Sequence, residues 1–143
     1  VIGINTAIDR EGQLVGFAIP SSDASRSLDS YQKSGKISRA YLGVRYVMIS
    51  KSLANNKKLP KDHGALVTRG EQVGDLGVLP GSPADKAGLV ENDIILAVNG
   101  TEVNEDATLA QSLRKFKVGD TVELTVFHKD AEKKVKVTLE ESK

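Results

Sequence analysis

The sequence predicts an α+β chain in which short antiparallel strands alternate with short helices. Three observations predict it. Residues 81–100 carry the chemistry of a helix start, a helix stop, a buried strand and a tight turn in that order. Residues 108–116 place Leu109, Leu113 and Phe116 at the i, i+4, i+7 spacing of one helical face. Residues 121–127 and 134–139 are apolar at every second position, through Val122, Leu124 and Val126 and then Val135, Val137 and Leu139, as in half-buried strands.

At the beginning of the chain, Val1-Ile2-Gly3-Ile4-Asn5 and Val15-Gly16-Phe17-Ala18-Ile19-Pro20 read as two strands joined through the polar turn Asp9-Arg10-Glu11-Gly12-Gln13. Two strands alone are marginal in water, so the pair is expected to be the end of a sheet whose other strands lie upstream, and the chain to be a fragment. Ser21-Ser22-Asp23 then starts a helix whose apolar face is Ala24, Leu28 and Tyr31 and which Gly35 closes. The polar run 32–36 marks a linker, with a domain boundary in residues 35–39.

Beyond the boundary, residues 41–49 read as a tight loop feeding a strand rich in β-branched and aromatic side chains. Residues 51–61 are polar and lysine-rich, anchored only by Leu53 and Leu59, and 64–68 form a second short strand. The glycine-spaced stretch 69–77 is a loop or insertion. In the segment that follows, Ser82 suits a helix N-cap, Pro83 the first helical position and Gly88 a left-handed stop. Asp93 leads into the apolar run 94–98, which Asn99-Gly100 folds back as a hairpin. After the 108–116 helix, stopped by Gly119-Asp120, the two closing strands pair through Lys129-Asp130-Ala131-Glu132.

With 143 residues and 39% hydrophobic content the chain can bury a core of ordinary size. Twenty basic against nineteen acidic side chains leave a net charge of +1, so no global field draws it to nucleic acid or an anionic membrane. Cysteine is absent, which excludes disulfides, thiolate metal sites and cysteine nucleophiles. No apolar run approaches the ~20 residues of a membrane-spanning helix.

Catalytic chemistry is also missing from the pattern. His63 and His128 are far apart and lack carboxylates at metal-ligand spacing, which favours surface or loop roles. No serine sits in a nucleophile-elbow sequence, and no serine, histidine and aspartate grouping can be assembled. The glycines of residues 70–81 lack the Gly-Lys-Ser/Thr ending of a phosphate-binding loop. Lys57, Lys58 and Lys61 cluster without interleaved aromatics and read as solvated loop. The expectation is no catalytic residue, no metal and no cofactor in this segment.

The run from Gly81-Ser82-Pro83-Ala84 through Gly88-Leu89 to Asp93-Ile94-Ile95 and Asn99-Gly100 resembles the central signature of PDZ domains. The whole chain resembles the C-terminal part of HtrA-family serine proteases: Val1-Ile2-Gly3-Ile4-Asn5-Thr6-Ala7 and Gly16-Phe17-Ala18-Ile19-Pro20 are similar to the family's last protease strands. The resemblance implies a PDZ-like, partly open antiparallel β-barrel or sandwich capped by two helices. It implies three parts: the end of a trypsin-like protease domain in 1–20, a linker helix in 21–38 and a PDZ domain in 39–143. The family's Gly-Asn-Ser-Gly-Gly nucleophile motif is absent, and its catalytic histidine and aspartate would lie further upstream, so this segment should have no peptidase activity of its own. Residues 69–77 depart from the family pattern.

Tyr41-Leu42-Gly43-Val44 matches the family's carboxylate-binding loop. Successive N–H groups turned into one concavity hold an anion, and a peptide's last residues can then add as a strand alongside 44–49. Tyr41, Leu42, Gly43, Val44, Arg45, Tyr46, Leu109 and Leu113 are the expected peptide-binding residues, with Leu42, Val44, Tyr46, Leu109 and Leu113 lining an apolar pocket or, alternatively, packing as core. Lys36 and Arg39 lie close enough in sequence to favour a carboxylate. The partners implied are peptide or protein C-termini and unfolded polypeptides in an extracytoplasmic quality-control protease, with a homo-oligomeric parent. A non-enzymatic PDZ scaffold is the alternative, and residues 1–20 allow a strand-exchange dimer.

Overall fold

Residues 2–8, 16–70, 72 and 74–141 are described by a computed structural model of the chain. They form two units, Val1–Ser38 and Arg39–Lys143.

In the first unit β1 (Gly3–Ile8) pairs antiparallel with β2 (Gly16–Pro20), with a bulge between Asn5 and Ala7. The polar turn of residues 9–13 lies outside the described residues. Helix α1 (Ser21–Ser34) starts directly at the end of β2, Pro20 holding the N-cap position and Ser21 N–H donating to Ile2 C=O at 3.0 Å. It stops where the sequence says it should: Gly35 has φ 70° and its N–H donates to Tyr31 C=O. The apolar face of α1 forms, but Leu28 and Tyr31 remain 56% and 59% exposed.

The second unit is built on an open sheet with the strand order β4 (Tyr46–Met48), β5 (Ala65–Val67), β6 (Ile94–Val98), β8 (Thr121–His128), β9 (Ala131–Thr138), and β7 (Thr101–Glu102) pairs with β6 as well. All the pairings are antiparallel. A separate two-stranded ribbon joins β3 (Ala40–Tyr41) to β10 (Glu140–Glu141). The sheet does not close into a barrel, so both β4 and β9 keep an edge.

Both faces of the sheet are apolar, because β6 is buried almost throughout. Ile95 and Val98 join the larger core with Leu42, Val67, Leu109, Leu113, Val122, Leu124, Val126 and Val137. Ile94 and Leu96 join a smaller one with Ile49, Ala54 and Leu66. Strict alternation would put Val98 with Leu96. A register shift between Ile95 and Ala97 against β8 turns it to the other face.

The signature segment forms as its residues dictate. Ser82 Oγ accepts from Asp85 N–H at the start of α3 (Pro83–Lys86), and Gly88 takes φ 74° just after it. Asn99 and Gly100 both have positive φ, 47° and 77°, as a two-residue hairpin with the twist of its strands requires. Three expectations need correction. Lys57, read with Lys58 and Lys61 as solvated loop, is instead the last residue of helix α2 (Lys51–Lys57), which is capped by Ser50 and ended by Lys58 in the left-handed region at φ 49°. The helix expected over 108–116 is regular only as α4 (Leu109–Leu113). The closing hairpin turns on Lys129 and Asp130 alone, φ 45° and 65°, while Ala131 and Glu132 already belong to β9.

Candidate functional site

The loop from Leu42 to Val44 is held by its carbonyls. Leu42 C=O accepts from Ala84 N–H at 2.9 Å, and Gly43 C=O accepts from Leu79 N–H at 3.0 Å and from Ser82 Oγ at 3.3 Å. The first turn of α3 and the residues before it therefore fix the loop from behind. Its donors are left over: among the described residues, the N–H groups of Leu42, Gly43 and Val44 have no protein acceptor. Tyr41 differs, because it is a strand residue paired with Glu140. Gly43 sits at φ 83°, and a Cβ there would lie 2.2 Å from Ser82 Cβ, so only glycine lets the loop press this closely on the helix.

The strand that continues the loop has one edge taken and one open. Arg45 N–H donates to Gly77 C=O at 2.7 Å and Arg45 C=O accepts from Thr68 N–H at 3.1 Å, while Val44 faces Val78 in an isolated antiparallel bridge. Backbone groups of successive strand residues point to opposite margins. Those of Arg45 are thus spent on the sheet side, and those of Val44 and Tyr46 point outward, where no described residue engages them. The unpaired amides of the loop are thus followed directly along the chain by the unpaired strand groups of Val44 and Tyr46.

Side chains follow the same alternation. Val44, Tyr46 and Met48 turn toward the main core and are partly buried against it. From the same side the phenol of Tyr46 reaches α4, its oxygen accepting from Ala110 N–H at 3.2 Å. This bond serves a first-turn helix donor, while Thr108 Oγ1 takes Gln111 N–H and Gln111 Oε1 takes Thr108 N–H. Of the expected pocket residues, Leu42 (3% exposed) and Leu109 (0%) are packed into the core and Leu113 (9%) lies at its margin. Core packing, the alternative reading, is where the structure places these leucines.

Arg45 departs from the expectation: its guanidinium is ion-paired with Asp75, on the face away from the main core. That pair also ties residues 69–77 to the strand. Asp75 also takes Gln72 N–H, its C=O takes Gly70 N–H at 3.0 Å, and Glu91 takes both Arg69 Nε at 2.6 Å and Gly77 N–H at 3.1 Å. Arg45 holds the Asp75 carboxyl below its usual range, and Arg69 followed by Gly77 N–H does the same for Glu91.

Both histidines are partnered by carboxylates, one adjacent in sequence and one distant. Asp93, 1% exposed, takes Val90 N–H at 3.0 Å and meets His128 Nδ1, which β8 brings beside it 35 positions later. His63 lies against Asp62. Among the described residues no group of three or more possible metal ligands occurs. Concavities of about 240 Å³ beside Pro83 and Lys136 and about 260 Å³ beside His63 and Asp106 do not include the Leu42–Tyr46 edge.

A PDZ domain model matches residues 40–139, which contain the loop, the open edge and α4. The chain belongs to the PDZ domain family. Its resemblance to HtrA-type proteases extends beyond the PDZ unit. It is 38% identical over 98% of its length to a probable periplasmic serine endoprotease, DegP-like, of Marinomonas sp. strain MWYL1, and 39% identical over 97% to one of Chlamydia trachomatis. The chain spans 29% and 27% of the length of these relatives. Among solved structures it resembles the HtrA-type protease AlgW with a decapeptide, at a TM-score of 0.73 and 25% identity, over all of this chain and 42% of that one. The PDZ unit is thus a peptide-binding module of the kind carried by DegP-like proteases.

Proposed function

We propose that this PDZ unit captures the free C-terminus of an apolar-ended peptide or unfolded polypeptide and so recruits substrate to, or regulates, a parent serine endoprotease of protein quality control in the periplasm. The terminal carboxylate sits on the N–H groups of Leu42, Gly43 and Val44, the last residues add as an antiparallel strand along Val44 and Tyr46, and Leu113 borders the terminal side chain. The observation that carries this reading is the asymmetry of the loop: the carbonyls of Leu42 and Gly43 are used by the protein, while the N–H groups of Leu42, Gly43 and Val44 have no acceptor among the described residues. Likeness through residues 1–38 as well as the PDZ unit favours a protease parent over a freestanding adaptor.

Fluorescence anisotropy with one apolar-ended peptide, prepared with a free and with an amidated C-terminus, tests the reading. Hydrogen bonds to a charged group contribute about 1.5–3 kcal/mol each, so amidation should weaken binding at least tenfold. Equal affinity of the two forms would reject carboxylate capture.

A further inference from the structure

We infer that Asp75 is a positioning residue for carboxylate capture, holding Arg45 and through it the back of the Leu42–Val44 loop. The inference rests on the binding reading above. The amides of Leu42, Gly43 and Val44 lie between two supports. The near end is held by the start of α3, since Leu42 C=O accepts from Ala84 N–H at 2.9 Å and Gly43 C=O from Ser82 Oγ at 3.3 Å. The far end is held by the close of the insertion: Leu79 N–H donates to Gly43 C=O at 3.0 Å, Val78 faces Val44, and Gly77 C=O accepts from Arg45 N–H at 2.7 Å. Where residues 77–79 lie therefore sets where Val44 N–H lies relative to the other two amides.

Arg45 grips this segment twice. Its backbone N–H meets Gly77, and its guanidinium meets the Asp75 carboxylate two residues earlier. Among the described residues the guanidinium has no other partner. The insertion is folded around the same acid: Asp75 C=O accepts from Gly70 N–H and Asp75 N–H donates to Gln72 C=O, both at 3.0 Å, while the carboxylate accepts from Gln72 N–H at 3.4 Å. A Cβ on Gly70 would strike the Asp75 carboxyl, so the turn closes directly on that side chain. One carboxylate thus joins the insertion's own turn to the strand that carries the ligand edge. Without its charge the insertion keeps only backbone bonds to that strand, and a loop that must be ordered anew for each ligand binds more weakly. The side chains of Arg45 and Asp75 are 43% and 30% exposed, so the pair itself contributes little to folding.

Anisotropy with one valine-ended peptide, free and amidated, tests Asp75→Asn and Arg45→Gln in the intact 143-residue chain. The two substitutions change the charge near the loop in opposite directions. A field effect alone would make Asp75→Asn bind the free peptide more tightly and Arg45→Gln less tightly. Positioning makes both weaken it, each by about fivefold, the worth of one ordinary hydrogen bond, and leaves the amidated peptide unchanged. The double variant should be no weaker than either single one, because both act through one contact. Destabilisation alone would lower both peptides together and keep their ratio. Glu123→Gln, which breaks the pair with Lys134 on the far strands, is the control and should leave the ratio as it is. A tighter free-peptide complex in Asp75→Asn, or a free-to-amidated ratio within a factor of two of the unaltered chain's, overturns the inference. Arg45→Gln applies the ratio criterion by itself should Asp75→Asn not fold. If the unaltered chain binds free and amidated peptide alike, the carboxylate reading fails and this one with it. If it discriminates while both variants keep its ratio, this inference alone fails.

Discussion

Replacing Gly43 by alanine probes both the loop and the helix that supports it. At φ 83° a side chain incurs left-handed strain of about 1–2 kcal/mol. The new Cβ would lie 2.2 Å from Ser82 Cβ and 2.6 Å from Ser82 Oγ, contacts that a buried residue at the start of α3 cannot relieve by rotating away. Overpacking of this kind costs about 1–3 kcal/mol, so the total should be about 2–5 kcal/mol against the 5–15 kcal/mol of an ordinary domain. Gly81→Ala is the control, with a similar φ of 73° and nothing within 4 Å of the added atom, and it should lose only the strain contribution. Urea unfolding followed by circular dichroism measures both variants, and anisotropy with a free C-terminal peptide measures the loop. Combining Gly43→Ala with Ser82→Gly removes the struck atoms, and the double variant should be less destabilised than the two single effects added together. Loss within 0.5 kcal/mol of the Gly81→Ala control, together with unchanged peptide affinity, would refute the reasoning.

Other consequences can be measured separately. Asp93→Ala should cost about 1–3 kcal/mol in urea unfolding, because Val90 N–H loses its acceptor and His128 its partner in a buried setting. Asn99→Ala should cost about 1–3 kcal/mol by the same assay, combining the strain of a side chain at φ 47° with loss of the bond from Glu123 N–H to Asn99 Oδ1 at 2.7 Å. The Asp75 and Glu91 carboxyls are held below their ordinary range, so their contribution is complete above about pH 4.5 and is lost only as pH falls through their lower folded values. NMR of the Gly77 amide, which donates to Glu91, should therefore be flat from pH 7 to pH 5 and shift only at more acid pH. A midpoint near neutrality would contradict the assigned partners.

What could be read from the sequence was whatever local chemistry decides. The cap at Ser82, the left-handed Gly88 and the Asn99-Gly100 turn depend on residues within a few positions of one another, and each forms as expected. Helix α2 was hidden because in seven residues it buries only Ala54, too little for a periodic signal, and its stop is a lysine rather than a glycine. Long-range partners were hidden for another reason. Tyr46 and Ala110 are 64 positions apart and Asp93 and His128 are 35 apart, and only the order of strands in the sheet brings them together. The same order separates Arg45 from its expected neighbours: in an extended strand adjacent side chains face opposite ways, so Tyr46 reaches α4 while Arg45 is left to Asp75.

The far margin of the main sheet is built differently from the near one. Strand β9 carries Lys133, Lys134 and Lys136 along its length, with Lys134 tied at 2.8 Å to Glu123 of β8. Lysines on a border strand discourage another molecule from docking there. An incoming segment would therefore meet unpaired backbone groups at one border of this sheet and a row of lysine side chains at the other.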